Sequence, residues 1–352
     1  MGRMLFVVCA SADSGCGWLR GSGTMEQNPA AQNDSGKVRR KMKGLLWICL
    51  TVSIILTSCG RIQKAQKEEA ALVESDENYL VTKHEWSGMY FYDIVSRKWE
   101  GRRPLVLFLH GLGGKKEDVI AYARDLADQG YVVVAPDCVG HGESKTTETL
   151  NFFDVIERTA AGCGSILEYY QNSDYGDPSR FSLAGISMGG MTALYFGAYS
   201  QLQPTAIISI CATADWESLL GTKEIYTKFR SGEGIAITDE GERNQMVISM
   251  VQNSPDHNLE YLLQVPILMI NGREDEIVPV SGIEAFEVKA GLYSNHLECI
   301  IQDGRGHEVG DTDLNNIIRF LGEYMPVSAA QDASLEEAGE TGTKEVPDEP
   351  DE

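Results

Sequence analysis

Short apolar runs alternate with helix-like stretches through the middle of the chain. Runs such as Pro104–Leu109 and Tyr131–Ala135 are apolar throughout, which is typical of strands buried on both faces. The pattern predicts strands at 79–84, 89–95, 104–109, 131–135, 180–184, 205–211, 266–270 and 296–302, and helices at 116–129, 151–171, 188–199, 281–290 and 311–324. This alternation predicts an α/β fold with a doubly wound, mostly parallel sheet of eight strands, spanning residues 79–325.

Residues 212–265 interrupt the alternation just after the strand predicted at 205–211. They are rich in helix-forming residues and include large apolar side chains such as Trp216 and Tyr226. Open α/β sheets bind ligands at the carboxyl ends of their strands. We therefore interpret this insertion as a small helical cap over those ends. A loop extension packed against the side of the sheet is the alternative.

The N-terminal region joins a basic cluster to one apolar run. Residues 37–43 contain five lysines and arginines, and the 13 residues 44–56 carry no charge. That run is short for a membrane span, which needs about 20 apolar residues. A basic segment followed by a short apolar one is typical of a secretory signal.

The sequence Leu56-Thr-Ser-Cys59 follows this run and resembles the bacterial lipobox. The resemblance implies that residues 42–58 are a lipoprotein signal peptide and that Cys59 takes the lipid. The protein is then exported and anchored by its N-terminal lipid to the outer face of the bacterial cell membrane. A plain cleaved signal and an uncleaved anchor are the alternatives.

The rest of the two ends predicts no packed structure. Residues 1–41 show no folding pattern and are interpreted as unstructured or as an over-extended start, and residues 59–78 as a polar tether. Residues 326–352 contain nine acidic residues and one lysine, which predicts a disordered acidic tail. The formal net charge is −22, which argues against nucleic-acid binding. We expect a monomer.

Four cysteines fall within the predicted domain: Cys138, Cys163, Cys211 and Cys299. Their spacing matches no metal-binding motif. In an exported protein they have three possible disulfide pairings, among which sequence does not choose. We favour buried free thiols.

The sharpest local motif is Gly185-Ile-Ser187-Met-Gly189, between the strand at 180–184 and the helix at 188–199. A Gly-x-Ser-x-Gly sequence between a strand and a helix is the pattern of a nucleophile elbow. The turn is so sharp that side chains at the two glycines would collide with neighbouring backbone. The motif therefore predicts Ser187 as a nucleophile.

A serine hydroxyl needs a base to accept its proton and a carboxylate to orient that base. His307 lies in the Gly-rich loop 304–308, after the last predicted strand, and is the predicted base. The orienting acid is expected between nucleophile and base in chain order. Asp275, in the loop 271–279, is the predicted acid, and Asp215 is the alternative.

Acyl transfer also needs N–H groups that stabilise the developing oxyanion. The Gly-rich segment His110–Gly114 follows the strand at 104–109 and lets backbone approach a ligand closely. The N–H of Leu112 is one predicted donor. The N–H of Met188, at the start of a helix, is the other, assisted by the helix dipole.

Together these motifs make residues 79–325 resemble an α/β-hydrolase. His110-Gly111, the elbow at Ser187, Asp275 and His307 follow one another in the order of that family. The short predicted domain and its cap are similar to those of small bacterial carboxylesterases. They are also similar to those of the dienelactone hydrolase and prolyl-oligopeptidase branches of the family. Two features argue against those branches. Dienelactone hydrolases use a cysteine nucleophile, whereas this chain has Ser187. Enzymes of the prolyl-oligopeptidase branch usually carry a β-propeller, and the segment before residue 79 is too short for one.

The segment Asp137–Ser144 resembles the Asp-x-x-Gly-x-Gly-x-Ser turn of the same family, which makes His141 a structural or pocket-edge residue. The resemblance implies a serine esterase that cleaves small carboxylic esters through an acyl-enzyme, without metal or cofactor. Thioesterase and acyltransferase use the same residues. The remaining alternatives are a peptidase of prolyl-oligopeptidase type and a non-catalytic surface binding protein on a hydrolase fold.

Overall fold

The computed structural model describes residues 71–75, 77–230, 233–292 and 296–327. The predicted start, signal peptide and lipid site at Cys59 lie outside these residues, as do most of the predicted tether and tail. Among the described residues, no helix is both long enough and apolar enough to cross a membrane.

The strands and helices follow the predicted alternation closely. The strands are β1 (Ala71–Ser75), β2 (Tyr79–Trp86), β3 (Met89–Ser96), β4 (Arg103–Leu109), β5 (Val132–Pro136), β6 (Leu150–Asn151), β7 (Gly176–Ile186), β8 (Ala206–Ile210), β9 (Thr227–Arg230), β10 (Glu233–Ala236), β11 (Ile267–Gly272) and β12 (Leu297–Gln302). The α-helices are α1 (Ile120–Asp128), α2 (Phe152–Tyr169), α3 (Met188–Tyr199), α4 (Glu240–Asn253), α5 (Leu259–Leu262), α6 (Val280–Ala290) and α7 (Asp313–Tyr324). Short 3₁₀ turns occupy Lys116–Val119, Tyr170–Asn172, Glu217–Leu219, Glu224–Tyr226 and Pro255–His257.

Nine strands form the main sheet, in the order β1-β2-β3-β5-β4-β7-β8-β11-β12. The six strands from β5 to β12 in this order pair in parallel, and β1, β2 and β3 are antiparallel. The predicted fold class is confirmed, with one strand more than the eight expected. The extra strand β1 lies within the predicted tether. All five of its residues are exposed, including Leu72 and Val73, so burial imposes no alternation of apolar and polar positions on it.

The core lies on both faces of the sheet, because successive side chains of a strand point to opposite faces. In β4, Leu105, Leu107 and Leu109 join the core beneath α2, α3 and α6, whereas Val106 and Phe108 join the core beneath α1 and α7. This arrangement explains why the central strands are apolar throughout. It also confirms the doubly wound arrangement.

Local signals place several element boundaries. Ser87 and Gly88 both have positive φ, which suits the tight turn between β2 and β3. The Asn151 side chain accepts hydrogen bonds from the N–H groups of Phe153 and Asp154, and Asp154 in turn accepts one from the N–H of Asn151. This reciprocal cap fixes the start of α2, within one residue of the start predicted at 151.

The insertion after β8 contains α4 and α5 but is not purely helical. The strands β9 and β10 form a hairpin, and β9 also pairs with β6 to make a small separate sheet. The insertion contributes Leu219, Thr222 and Ile225 to the wall of a cavity described below, which supports its interpretation as a cap.

Candidate active site

Four loops converge at the carboxyl ends of the parallel strands, where open α/β sheets bind ligands. The loop after β4 carries Leu112, and the turn after β7 carries Ser187. Asp275 follows β11, and His307 follows β12. The three side chains predicted for nucleophile, acid and base therefore lie at one edge of the sheet although 120 positions separate the first from the last.

Ser187 occupies a strained turn between β7 and α3. Its φ of 54° and ψ of −116° fall in a region that non-glycine residues rarely adopt. A Cβ added at Gly185 would lie 2.3 Å from the carbonyl carbon of Gly189, and one added at Gly189 would lie 2.5 Å from the carbonyl oxygen of Leu109. The collisions expected from the sequence are confirmed, and they explain the two glycines of the motif.

His307 contacts both other predicted residues. Its Nε2 lies 2.9 Å from the Oγ of Ser187, and its Nδ1 lies 2.7 Å from the Oδ2 of Asp275. An ionised carboxylate only accepts hydrogen bonds, so Nδ1 carries the proton and Nε2 is left to accept the serine proton. The structure thus brings the three residues into one hydrogen-bonded chain.

Asp275 is held as a carboxylate by its surroundings. Its side chain is buried, and its Oδ1 accepts hydrogen bonds from the N–H groups of Ile277 at 2.9 Å and Val278 at 2.8 Å. Burial acts to raise the pKa of Asp275, but the hydrogen bond from His307 and these backbone N–H groups outweigh it and hold the pKa below its usual value. The group is therefore charged at neutral pH and can orient His307.

The loops that carry Asp275 and His307 are tied together. The N–H of Glu274 donates to the carbonyl of Arg305 at 2.9 Å. A Cβ at Gly272 would lie 2.2 Å from that same carbonyl oxygen, so only glycine allows the approach. The guanidinium of Arg305 makes a buried bidentate pair with Asp313, at 2.8 and 2.6 Å. Sequence reasoning missed Arg305, although it lies only two residues before His307.

The alternative acid, Asp215, does not reach His307 by any hydrogen bond among the described residues. Its Oδ1 instead accepts hydrogen bonds from the N–H groups of Glu217 at 3.1 Å and Ser218 at 3.3 Å. Asp215 thereby stabilises the 3₁₀ turn that begins the cap. The geometry favours Asp275.

The two predicted oxyanion donors belong to residues near Ser187: Leu112 lines the same cavity, and Met188 is the next residue in the chain. Met188 is also the first residue of α3, so its N–H has no acceptor within the helix. The Nε2 of His110 accepts a hydrogen bond from the N–H of Cys138 at 3.0 Å, and its Nδ1 lies 2.7 Å from the carbonyl of Gly111, which fixes the loop that carries Leu112. The role of both N–H groups as donors stays a prediction.

An apolar cavity of about 310 Å³ opens at Ser187 and His307. Its wall is formed by Gly111, Leu112, Phe152, Ile186, Ser187, Met191, Leu219, Thr222, Ile225, Ile277, Val278 and His307. Apart from Ser187, His307 and Thr222, the side chains in this wall are apolar or absent. The cavity therefore suits a ligand with an uncharged, mainly hydrocarbon portion.

Cys211, which sequence reasoning did not place in the site, lies beside it. It follows β8 with a φ of 51°, and its thiol donates to the carbonyl of Glu308 at 3.2 Å. Its sulfur lies within 4.8 Å of ligand atoms of both Asp275 and His307. Cys138 and Cys163 are also buried free thiols, as expected, whereas the free thiol Cys299 is only partly buried.

The segment Asp137–Ser144 folds as a tight turn. The Asp137 carboxylate accepts hydrogen bonds from the backbone N–H of Lys116, from its Nζ and from the N–H of Glu143, each at 2.8 Å. A Cβ at Gly142 would lie 2.2 Å from Asp137. This buried network supports a structural role for the segment, and His141 is not among the residues that line the cavity.

His141 predicts a pH dependence of stability. Burial lowers its pKa to about 4 from an ordinary value of 6.5. Below pH 6.5 the unfolded chain binds a proton that the folded chain does not, so stability falls as the pH drops towards 4, by up to about 3 kcal/mol. In His141→Asn we expect this loss to become smaller; it does not vanish, because burial also lowers the pKa of His110. Urea unfolding at pH 7 and pH 4.5 measures it, and an unchanged difference between the two pH values would contradict the assignment.

The chain is similar to known hydrolases. A family model described as "Serine aminopeptidase, S33" matches residues 100–231, which is less than half of the chain. The Bacillus subtilis (strain 168) protein named "Putative esterase YitV" is 29% identical over 252 residues, covering 68% of this chain and 96% of that relative.

Two solved structures show the same fold at low identity. An esterase of Pyrococcus furiosus is 14% identical with a TM-score of 0.51, covering 73% of this chain and 99% of that one. A puromycin-hydrolysing peptidase of Mycobacterium tuberculosis is 16% identical with a TM-score of 0.57, covering 72% of this chain and 41% of that one. The chain therefore has the α/β-hydrolase fold, and its relatives support a hydrolase.

Proposed function

We propose that the protein is a serine hydrolase that cleaves carboxylic esters through an acyl-enzyme. One observation carries the proposal: a continuous hydrogen-bonded chain from Asp275 through His307 to Ser187 ends at an apolar cavity. The relatives named as esterases support the same reaction. The cavity gives the chain a place to hold the acyl or alcohol portion of an ester.

The proposed reaction has two halves. The Nε2 of His307 accepts the proton of Ser187 while Oγ attacks the ester carbonyl, and the N–H groups of Leu112 and Met188 stabilise the oxyanion. His307 then protonates the leaving alcohol, which departs and leaves an acyl-serine. In the second half, His307 deprotonates a water molecule that attacks the acyl group, and the acid leaves as Ser187 recovers its proton. Asp275 stabilises the imidazolium in both halves.

The size of the cavity indicates a short acyl group. Its volume lies at the lower end of the range of small-molecule pockets, about 300–1,000 Å³. We expect p-nitrophenyl acetate and butyrate to give a higher kcat/KM than p-nitrophenyl palmitate, by at least about tenfold. The cavity cannot enclose the whole palmitoyl chain, so part of that chain would stay outside it and gain no free energy from burial. A preference for palmitate would contradict this reading of the cavity.

A peptidase is the second candidate, because the matched family model and one structural relative are described as peptidases. Turnover of a proline anilide in preference to every acyl ester would favour it. A non-catalytic binding protein is the third candidate. Labelling of the protein by a fluorophosphonate, which reacts with activated serines, would exclude it; failure to label together with absence of ester turnover would favour it.

We also propose that the protein is exported and that Cys59 carries a lipid that anchors it to the outer face of the bacterial cell membrane. The proposal rests on the basic segment, the apolar run and the lipobox-like sequence before Cys59. Radiolabelled palmitate fed to bacteria that express the full chain should enter the wild type and not Cys59→Ala. Equal labelling of both proteins would contradict it.

A further inference from the structure

The Asp275–His307 pair belongs to a larger cluster of metal-binding side chains. A carboxylate oxygen of Asp275, a ring nitrogen of His307 and the sulfur of Cys211 all lie within 4.8 Å of one another. Thiolate, imidazole and carboxylate are the three ligand types that zinc uses in proteins. The proposed ester hydrolysis assigns no step to Cys211, so its position needs a separate explanation.

We propose that Cys211, Asp275 and His307 form an inhibitory site for a divalent cation that accepts sulfur ligands, of which Zn²⁺ and Cd²⁺ are examples. Binding of the cation stands independently of the proposed function, whereas the inhibition rests on it. Zinc here is an inhibitor and takes no part in the reaction.

Shifts of about 1.5 Å or less would bring the ligand atoms to the spacing of a tetrahedral site. With zinc–sulfur bonds of about 2.3 Å and zinc–nitrogen or zinc–oxygen bonds of about 2.0–2.2 Å, ligand atoms lie about 3.3–3.7 Å apart. The Nδ1 of His307 and the Oδ2 of Asp275 are 2.7 Å apart and would have to separate slightly. The sulfur of Cys211 would have to approach by no more than about 1.5 Å.

The backbone holds the Cys211 sulfur in this position. Its φ of 51° is strained for a non-glycine residue, and such strain persists only where the surroundings impose it. The N–H of Cys211 donates to the carbonyl of Ile270 at 2.8 Å, which ties it to β11. The thiol donates to Glu308, the residue after His307, so the sulfur already points towards the loop of the base.

The charges of the cluster also suit a divalent cation. A thiolate and a carboxylate together carry −2, which a divalent ion neutralises. The guanidinium of Arg305 lies 3.8 Å from the sulfur, but Asp313 balances its charge. The cation replaces the thiol proton of Cys211 and the Nδ1 proton of His307, and both protons leave to solvent. Burial raises the pKa of Cys211 to about 11, so we expect weaker binding than at structural zinc sites.

Occupation of the site would disable the base. A cation on Nδ1 removes the hydrogen bond by which Asp275 orients His307, and it withdraws electron density from the ring. Nε2 then accepts the proton of Ser187 less readily. Mg²⁺ prefers six oxygen ligands and should not have this effect.

The test uses the full chain, freed of metal with a chelator, and three measurements: cadmium titration, zinc calorimetry and the inhibition of ester turnover by zinc. CdCl₂ is titrated while the ultraviolet absorption of thiolate–cadmium bonds is followed, and ZnCl₂ binding is measured by calorimetry. Wild type is compared with Cys211→Ser and with Cys299→Ser, whose thiol belongs to no metal-binding cluster among the described residues. The chain has eight cysteines, so the difference between the two variants, not the total signal, identifies the site.

We expect Cys299→Ser to match the wild type and Cys211→Ser to bind one ion fewer at high affinity. The ZnCl₂ concentration that halves p-nitrophenyl acetate turnover, relative to each protein's own metal-free rate, should rise at least about tenfold in Cys211→Ser. MgCl₂ at the same concentrations should not inhibit. If Cys211→Ser bound as many ions as the wild type and showed the same thiolate–cadmium absorption, the site would be overturned. If the ZnCl₂ concentration that halves turnover were the same in Cys211→Ser as in the wild type, the inhibition would be overturned.

Two further variants keep the test decisive. Ser187→Ala retains all three ligands, so it should bind Cd²⁺ as the wild type does even if the protein turns over no ester. The metal site can thus be judged separately from the proposed function. If Cys211→Ser fails to fold, His307→Gln removes another ligand without altering β8. Wild-type metal binding by His307→Gln would then overturn the proposal.

Discussion

Replacing Ser187 with alanine is expected to lower kcat for p-nitrophenyl butyrate by about 10⁴–10⁶-fold. The variant removes the Oγ that we propose attacks the carbonyl, and with it the partner that lies 2.9 Å from the Nε2 of His307. Alanine keeps the Cβ of serine, so the strained turn and the cavity should remain as they are. Initial rates and thermal unfolding of the purified variant measure the two effects separately.

The control for this experiment is Ser179→Ala. Ser179 is exposed and does not line the cavity, and its hydroxyl donates to the nearby Asp177 at 2.7 Å. Its replacement should leave ester turnover within about twofold of the wild type, since a surface change away from the site has little effect. If Ser187→Ala kept most of its activity at an unchanged unfolding temperature, Ser187 would not be the nucleophile.

The parts of the site that sequence predicts best are those in which backbone geometry restricts the residue type. Gly185 and Gly189 each face a backbone atom closer than any Cβ permits, so only glycine fits there. The same restriction applies to Gly272, next to the loop of the base. A steric requirement of this kind leaves a mark in the sequence itself, which is why the strand–turn–helix around Ser187 could be read without coordinates.

Contacts between distant segments leave no such mark. Cys211 lies beside His307 because β8 neighbours β11, and this strand order depends on packing across the whole sheet. The bidentate pair of Arg305 and Asp313 is likewise a contact between a loop and the start of a helix. No pattern around these residues distinguishes them from ordinary surface charges or core thiols.

Short or exposed strands were missed for a related reason. All five residues of the strand β1 are exposed, so its sequence does not show the alternation of apolar and polar residues that a half-buried strand shows. The strands β9 and β10 hold four residues each and pair mainly with one another. Their positions depend on hydrogen bonds between strands, which apolar periodicity does not report. The predicted helical cap consequently proved to contain a hairpin.

Asp275→Asn is expected to lower kcat by about 10⁴-fold with little change in KM. The Oδ1 of Asp275 accepts two backbone hydrogen bonds, from Ile277 and Val278, so the amide oxygen of asparagine should take that place. The amide NH₂ would then face the Nδ1 of His307 and donate to it. This selects the tautomer with a proton on Nε2, which cannot accept the proton of Ser187. KM should hold because Asp275 does not line the cavity.

Asp215→Asn is the matched control, because Asp215 makes the same kind of hydrogen bonds to backbone N–H groups but does not contact His307. Its kcat should stay within about tenfold of the wild type, since the change affects only the turn at the start of the cap. The reverse result, with full activity in Asp275→Asn and a large loss in Asp215→Asn, would move the orienting acid to the loop after β8. A moderate loss in both variants would mean that the two carboxylates share the role, which requires His307 to turn towards the cap during the reaction.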